Sequence, residues 1–168
     1  MTPTIVRPSW TEEAFERAVR ADVFEDGVEL IDGDLVAFKV SPQEPAHSQA
    51  IQDLLVRLSE QYGVRQVRVQ MPLKLGAARP EPDLAVVPPG DYATGHPTTA
   101  RLIVDVSDTA SARGAYDRTR KAVLYGAAGI PEYWIVDVAA DTVEICTGPE
   151  PDGYAQRVLH AFRAWLAR

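Results

Sequence analysis

Asp105 interrupts an apolar run, LIVDV, and Lys121 follows it in the next segment with helical spacing. An ionised carboxylate in apolar surroundings costs several kcal/mol unless a cation, a metal or hydrogen-bond donors compensate it. Asp83 heads a second short apolar run, PDLAVV, and Glu29 lies in a third, VELI. Hard divalent cations such as magnesium take oxygen ligands, commonly one or two carboxylates completed by water and phosphate oxygens. Two aspartates on neighbouring strands, with an ammonium beside them, therefore suffice for phosphodiester hydrolysis. The ion would polarise the phosphate and acidify a bound water, while the lysine would orient that water or offset charge on the phosphoryl group. The same residues also fit blander roles: Asp105 and Lys121 as a structural ion pair, Glu29 facing solvent, Asp83 hydrated at a sheet edge.

Other familiar chemistries are missing. His47, His96 and His160 are far apart and Cys146 is the single cysteine, so zinc-ligand spacing is absent. No phosphate-binding glycine loop and no Gly-x-Ser-x-Gly elbow occurs.

These acids must be positioned by the elements around them. Leu102 to Val106 reads as a buried strand, Tyr116 to Ala128 as a helix closed by Gly129 and Pro131, and Glu132 to Val138 as a second strand. That order is a βαβ unit, whose crossover lays the helix over the sheet and lets Lys121 reach Asp105. Tyr116, Arg120, Val123, Leu124 and Ala127 form the expected apolar stripe, with Lys121 at its border. Upstream, Ser9 and Glu12 fit a capping box opening a helix to about Ala21, with Trp10, Ala14, Ala18 and Val19 as its inner side. Asp32-Gly33 divides a hairpin over Val28 to Val40. After Pro42 and Pro45 a second helix starts near Ala46 or His47, where the histidine reads as a cap or surface residue. Ile51, Leu54, Leu55 and Leu58 supply its inner side, and Gly63 ends it. Val64 to Gln70 alternates as a strand, and Leu73 to Leu75 is expected to continue that sheet. Thr142 to Cys146 is a further strand, and Gly148 to Gly153 a break. From Tyr154 on, a strand and a helix fit equally.

With 168 residues, 46% of them apolar, the chain is expected to fold as one α/β domain with a real core. It has no run of about 18 apolar residues and no apolar leader in MTPTIVRPSW, so the expectation is a cytoplasmic protein without a membrane anchor. The lone cysteine agrees with a reducing compartment. A net charge of −7 argues against a nonspecific DNA coat. Local basic groups remain, Arg113, Arg118, Arg120 and Lys121 in one and Arg57, Arg65 and Arg68 in another.

The segments VELIDGDLV, PAHS, PDLAVV, LIVDVSD and YDRTRKAVLYGAAGIPEYWIVDV, in this order, resemble the Uma-two family of restriction-endonuclease-like proteins, within the PD-(D/E)xK nuclease superfamily. The resemblance runs from about Trp10 to Val143 and leaves residues 1–8 and 149–168 peripheral. It implies a restriction-endonuclease-like core, a mixed β-sheet flanked by helices, and a magnesium-dependent nuclease acting on DNA, with manganese as the alternative ion. By resemblance Asp83 and Asp105 are the metal-binding acids, Lys121 is the catalytic lysine moved onto the helix, and Glu29 is an additional acid. Ser107 takes the usual lysine position, and Gln70 and His47 are auxiliary. The family usually has glutamate at Asp105, and SDTASARGAYD is longer than usual. A homodimer is expected from the two-fold symmetry of duplex DNA. The rival reading from another class is a nuclease-like fold that binds nucleic acid or a protein partner without cutting.

Overall fold

The computed structural model describes residues 9–24, 27–37, 45–107 and 115–168. Phe38 to Val40, Pro42, Arg113 and most of SDTASARGAYD lie outside these residues. Helix α1 (Glu12–Arg20) is capped by Thr11, whose side chain accepts the Ala14 N–H at 3.2 Å, and not by Ser9. The preceding residues serve the hairpin instead. Trp10 N–H donates to Gly33 O at 2.7 Å, and Ser9 covers Gly33 so closely that a Cβ there would collide with its Oγ. Phe15 and Ala18 form the inner side of α1, whereas Val19, expected inside, is exposed.

Strands β1 (Val28–Ile31) and β2 (Asp34–Ala37) pair antiparallel as the sequence predicts. Asp32 and Gly33 both take positive φ, 52° and 80°, the conformation of a type I′ turn. Helix α2 (Pro45–Tyr62) starts on a proline, which fits the first helical position because its missing N–H would be unpaired there anyway. Gly63 at φ 89° ends it. Val64 then lies in a 3-10 turn and not in the expected strand, which is reduced to β3 (Val67–Val69). Leu73 and Leu75 do not continue the sheet. Their side chains enter the core, but the segment is held by Leu73 N–H to Pro80 O and Lys74 N–H to Pro97 O.

Next come β4 (Leu84–Val86), β5 (Leu102–Ser107), a π-helical turn (Asp117–Lys121) leading into α3 (Ala122–Ala127), and β6 (Glu132–Asp137). The chain closes with β7 (Thr142–Glu150), β8 (Gly153–Ala161) and α4 (Phe162–Leu166). The expected break at Gly148 to Gly153 is thus only a tight turn at Pro151-Asp152 inside a long hairpin. The six-stranded sheet runs β3-β4-β5-β6-β7-β8. Among its described strands only β5 and β6 are parallel, as the βαβ reading requires.

Alternation along β5 divides the core. Leu102, Val104 and Val106 join Leu54, Leu58, Trp134 and Phe162 under α2 and α4. On the opposite face Ile103 joins Ala122, Tyr125, Tyr133 and Ile135 beneath α3. Asp105, in phase with Ile103, is therefore delivered to the α3 face. That helix is rotated from the expected stripe: Asp117, Lys121, Ala122, Tyr125 and Gly126 are buried, while Val123 is exposed. Apolar periodicity misjudged it because its inner side carries charge. Gly126 permits the close approach, since a Cβ there would collide with the Gly153 carbonyl. Gly129, at φ 71°, closes the helix as predicted, and the Ile130 N–H returns to Tyr125 O.

Candidate active site

Three elements converge on Lys121. Its Nζ lies 3.2 Å from Glu29 Oε1 on β1, 3.3 Å from Asp105 Oδ1 on β5 and 3.5 Å from Asp117 Oδ1 one turn back. Lys121 and Asp105 are wholly enclosed. Burial works to lower the lysine pKa, yet the surrounding acids, Asp105 foremost, together hold it well above its ordinary value. The ammonium is charged throughout the neutral range. Glu29 responds in the opposite sense. Desolvation raises its pKa against the pull of Lys121, and the nearby Asp105 charge adds to the rise. Its Oε1 also accepts the Glu81 N–H at 3.2 Å, whereas its Oε2 has no hydrogen-bond partner among the described residues. The solvent-facing reading of Glu29 is thereby corrected: β1 is folded onto the site by its bridge from Leu30 to Arg79, which turns Glu29 inward.

The second carboxylate oxygen of Asp105, Oδ2, accepts from Tyr133 OH at 2.9 Å. Burial, then Asp105, push the Tyr133 pKa well up, so the phenol remains a donor. The same hydroxyl lies 3.2 Å from the Asp117 backbone carbonyl at the start of the π-helical turn. Asp117 and Tyr133 were not among the sequence candidates. A signal was present for Asp117, which stands four residues before Lys121 and so shares its helix side.

Asp83 is buried between two strands and not hydrated at a sheet edge, because β4 lies between β3 and β5. The register that pairs Leu84 with Val104 sets Asp83 opposite Asp105 one step further on. Its Oδ2 accepts the N–H of Val106, the residue next to Asp105, at 2.8 Å. His47 Nε2 is 3.7 Å from Asp83 Oδ1, and Gln70 Nε2 is 3.5 Å from the same oxygen. His47 is thus carried to Asp83 by the first turn of α2. Gln70 adopts φ 47°, a conformation uncommon for a residue with a side chain, as it leaves β3. Ser107 is buried at the end of β5 with its Oγ unpartnered among the described residues.

Among the described residues no group of three or more histidines, cysteines, aspartates or glutamates forms a metal cage. The oxygen donors nevertheless suit a hard divalent ion, which needs only one or two carboxylates when water and phosphate complete its shell. The unpartnered Glu29 Oε2 is a buried oxygen that such an ion could use. Cysteine chemistry is not supported, since burial pushes the Cys146 thiol up to about 11.

Among the described residues, several of the basic side chains have partners within the protein. Arg118 meets Glu144 at 3.0 Å, Arg120 meets Asp32 at 3.2 Å, and Arg57 donates to Leu166 O at 3.0 Å while lying over Trp165. Arg68 lies over the Tyr92 ring. No helix among the described residues is long and apolar enough to cross a membrane.

A family model named Uma2 and described as "Putative restriction endonuclease" matches residues 15–167. Among solved structures, the chain is similar to one described as "a putative nuclease belonging to DUF820" from Anabaena variabilis, with a TM-score of 0.69 and 14% identity over 90% of this chain and 84% of that one. At that identity the likeness speaks for the fold alone. A comparison with curated proteins gave no match.

Proposed function

Because the chain belongs to the Uma2 family of restriction-endonuclease-like proteins, we propose that it is a metal-dependent endonuclease hydrolysing DNA phosphodiester bonds. The observation that carries this reading is the convergence of separate elements, with Lys121 Nζ 3.3 Å from Asp105 and 3.2 Å from Glu29, and with Asp83 in register opposite Asp105. Asp83 and Asp105, opposed across β4 and β5, would hold magnesium or manganese. Such an ion would supply Lewis acidity toward the phosphate and lower the pKa of a bound water. Lys121 would orient the attacking water and offset charge on the phosphoryl oxygens as the water oxygen bonds to phosphorus and one P–O ester bond breaks. Glu29 would accept a water proton through its unpartnered oxygen. His47, within reach of Asp83, would steady that carboxylate or contact the phosphate side. Two copies of the chain would serve the two strands of a duplex.

Cleavage of plasmid and linear DNA with magnesium, set beside Lys121→Ala and Asp83→Asn, tests the assignment. Activity is expected in the parent and lost in both variants. Equal activity in all three would remove it.

Complete burial of Asp105 and Lys121 favours a second reading, an ion pair that serves folding in a protein that binds without cutting. Under it, removing both residues together is tolerated far better than removing one, and added manganese leaves the melting temperature unchanged.

A further inference from the structure

Resting on the nuclease reading, we infer that Tyr133 is a positioning residue for the reaction, fixing the Asp105 carboxylate against the π-helical turn that carries Lys121. The phenol lies on β6 with its ring packed in the apolar cluster beneath α3 and its hydroxyl turned to residues of the site. Its hydroxyl donates to Asp105 Oδ2 at 2.9 Å and lies 3.2 Å from the Asp117 carbonyl. A hydroxyl has one proton, and the shorter, charged acceptor takes the larger share of it. With Oδ2 engaged, the carboxyl plane is set, and Oδ1 is the oxygen left toward Lys121 Nζ. One phenol therefore joins β5, β6 and the turn ahead of α3.

The π-helical geometry belongs to the same device. Ala122 N–H reaches Asp117 O, five residues back, so the turn is wider than an α-turn, and the Asp117 carbonyl sits within range of the phenol. Lys121 closes this turn. Its lateral position depends partly on what holds Asp117, and one contact of Asp117 with the sheet is the weaker one to the Tyr133 hydroxyl.

A matched control lies alongside. Tyr125 packs edge-on against Tyr133 with ring centroids 4.9 Å apart, and it is equally buried, but its hydroxyl has no hydrogen-bond partner among the described residues. Tyr133→Phe and Tyr125→Phe each delete one buried phenol oxygen from adjoining rings. Only the first deletes a bond to Asp105.

The experiment compares the full chain with these two variants by manganese titration calorimetry and by DNA cleavage kinetics. Partners that orient a metal-binding carboxylate are worth about 10- to 100-fold in metal affinity or rate. Tyr133→Phe is expected to weaken manganese binding and lower kcat by about that factor, with KM for DNA unchanged because the ring is packed in the apolar cluster. Tyr125→Phe, which removes no hydrogen bond to Asp105, is expected to change manganese binding and kcat by less than Tyr133→Phe. An active parent with Tyr133→Phe indistinguishable from Tyr125→Phe overturns this inference and leaves the nuclease reading intact. A parent that neither binds manganese nor cuts DNA overturns the nuclease reading, and this inference falls with it.

Discussion

Both faces of the same central strand carry an apolar cluster, but only one of them adds a buried group of charges. Under α2, Val104 and Val106 meet Leu54, Leu58 and Phe162 in a purely apolar layer, where stability grows with buried area and tolerates changes of shape. Under the π-helical turn, Asp105 meets Lys121 and Tyr133, and every partner compensates another. Truncating a side chain on the apolar face opens a cavity, whereas removing a partner on the charged face strands a buried charge. The charged face should therefore respond to the loss of a single partner, and the apolar face to the volume removed.

Breaking the charged face at its centre should have the largest effect. Lys121→Met leaves Glu29, Asp105 and Asp117 without their ammonium and is expected to destabilise by about 3–5 kcal/mol, the cost of an unpaired buried charge. Denaturant unfolding measures it, and a loss below about 1 kcal/mol would erase the contrast between the faces. Leu54→Ala, on the apolar face, is expected to cost about 2–5 kcal/mol through lost transfer and cavity formation. Unlike Lys121→Met, it should leave the proposed metal-dependent cleavage unaltered at temperatures where it remains folded.

A pH series sharpens the distinction. Glu29 has a pKa raised above its ordinary 4.5, chiefly by desolvation. The folded form therefore holds its proton more tightly than the unfolded chain, so this contribution is complete below 4.5 and is lost as pH rises through the folded value. Glu29→Gln should flatten the fall in melting temperature that begins near that point, whereas Leu54→Ala should run parallel to the parent. The Lys121 contribution has the same sign at the alkaline end: its raised pKa means stability is present at neutrality and lost only as pH climbs beyond the ordinary lysine range. The smallest effect belongs to neither face. Leu159 is exposed on β8, and Leu159→Thr should shift stability within about 0.5 kcal/mol. A larger loss by thermal melting would mean that this edge is covered by something in solution.

Much of the frame was legible from local rules. The Asp32-Gly33 hairpin, the Gly63 and Gly129 stops, α2 and the parallel β5–β6 pair follow from turn chemistry and apolar spacing, which act over a few residues. The capping box at Ser9 was misplaced because Ser9 serves Gly33, a partner far along the chain. The inner side of α3 was misjudged for a related reason: Asp117 and Lys121 look like surface residues until Glu29 and Asp105 are brought against them.

By itself, the sequence determined that a carboxylate must be answered inside the LIVDV strand and that a lysine on the following crossover was available to answer it. Asp105 was legible because an acid in an apolar run conflicts with burial, and Lys121 because helical spacing put it within reach; Asp83 and Glu29, which each also fit a solvated position, were raised to site residues by the family resemblance. Only the tertiary structure decided that Tyr133 takes the second Asp105 oxygen, that Asp117 shares the lysine, and that His47 arrives at Asp83. Those pairings join residues from separate strands and helices. Their distances depend on sheet register, the width of a π-helical turn and the packing of Gly126, none of which leaves a periodic trace in the chain.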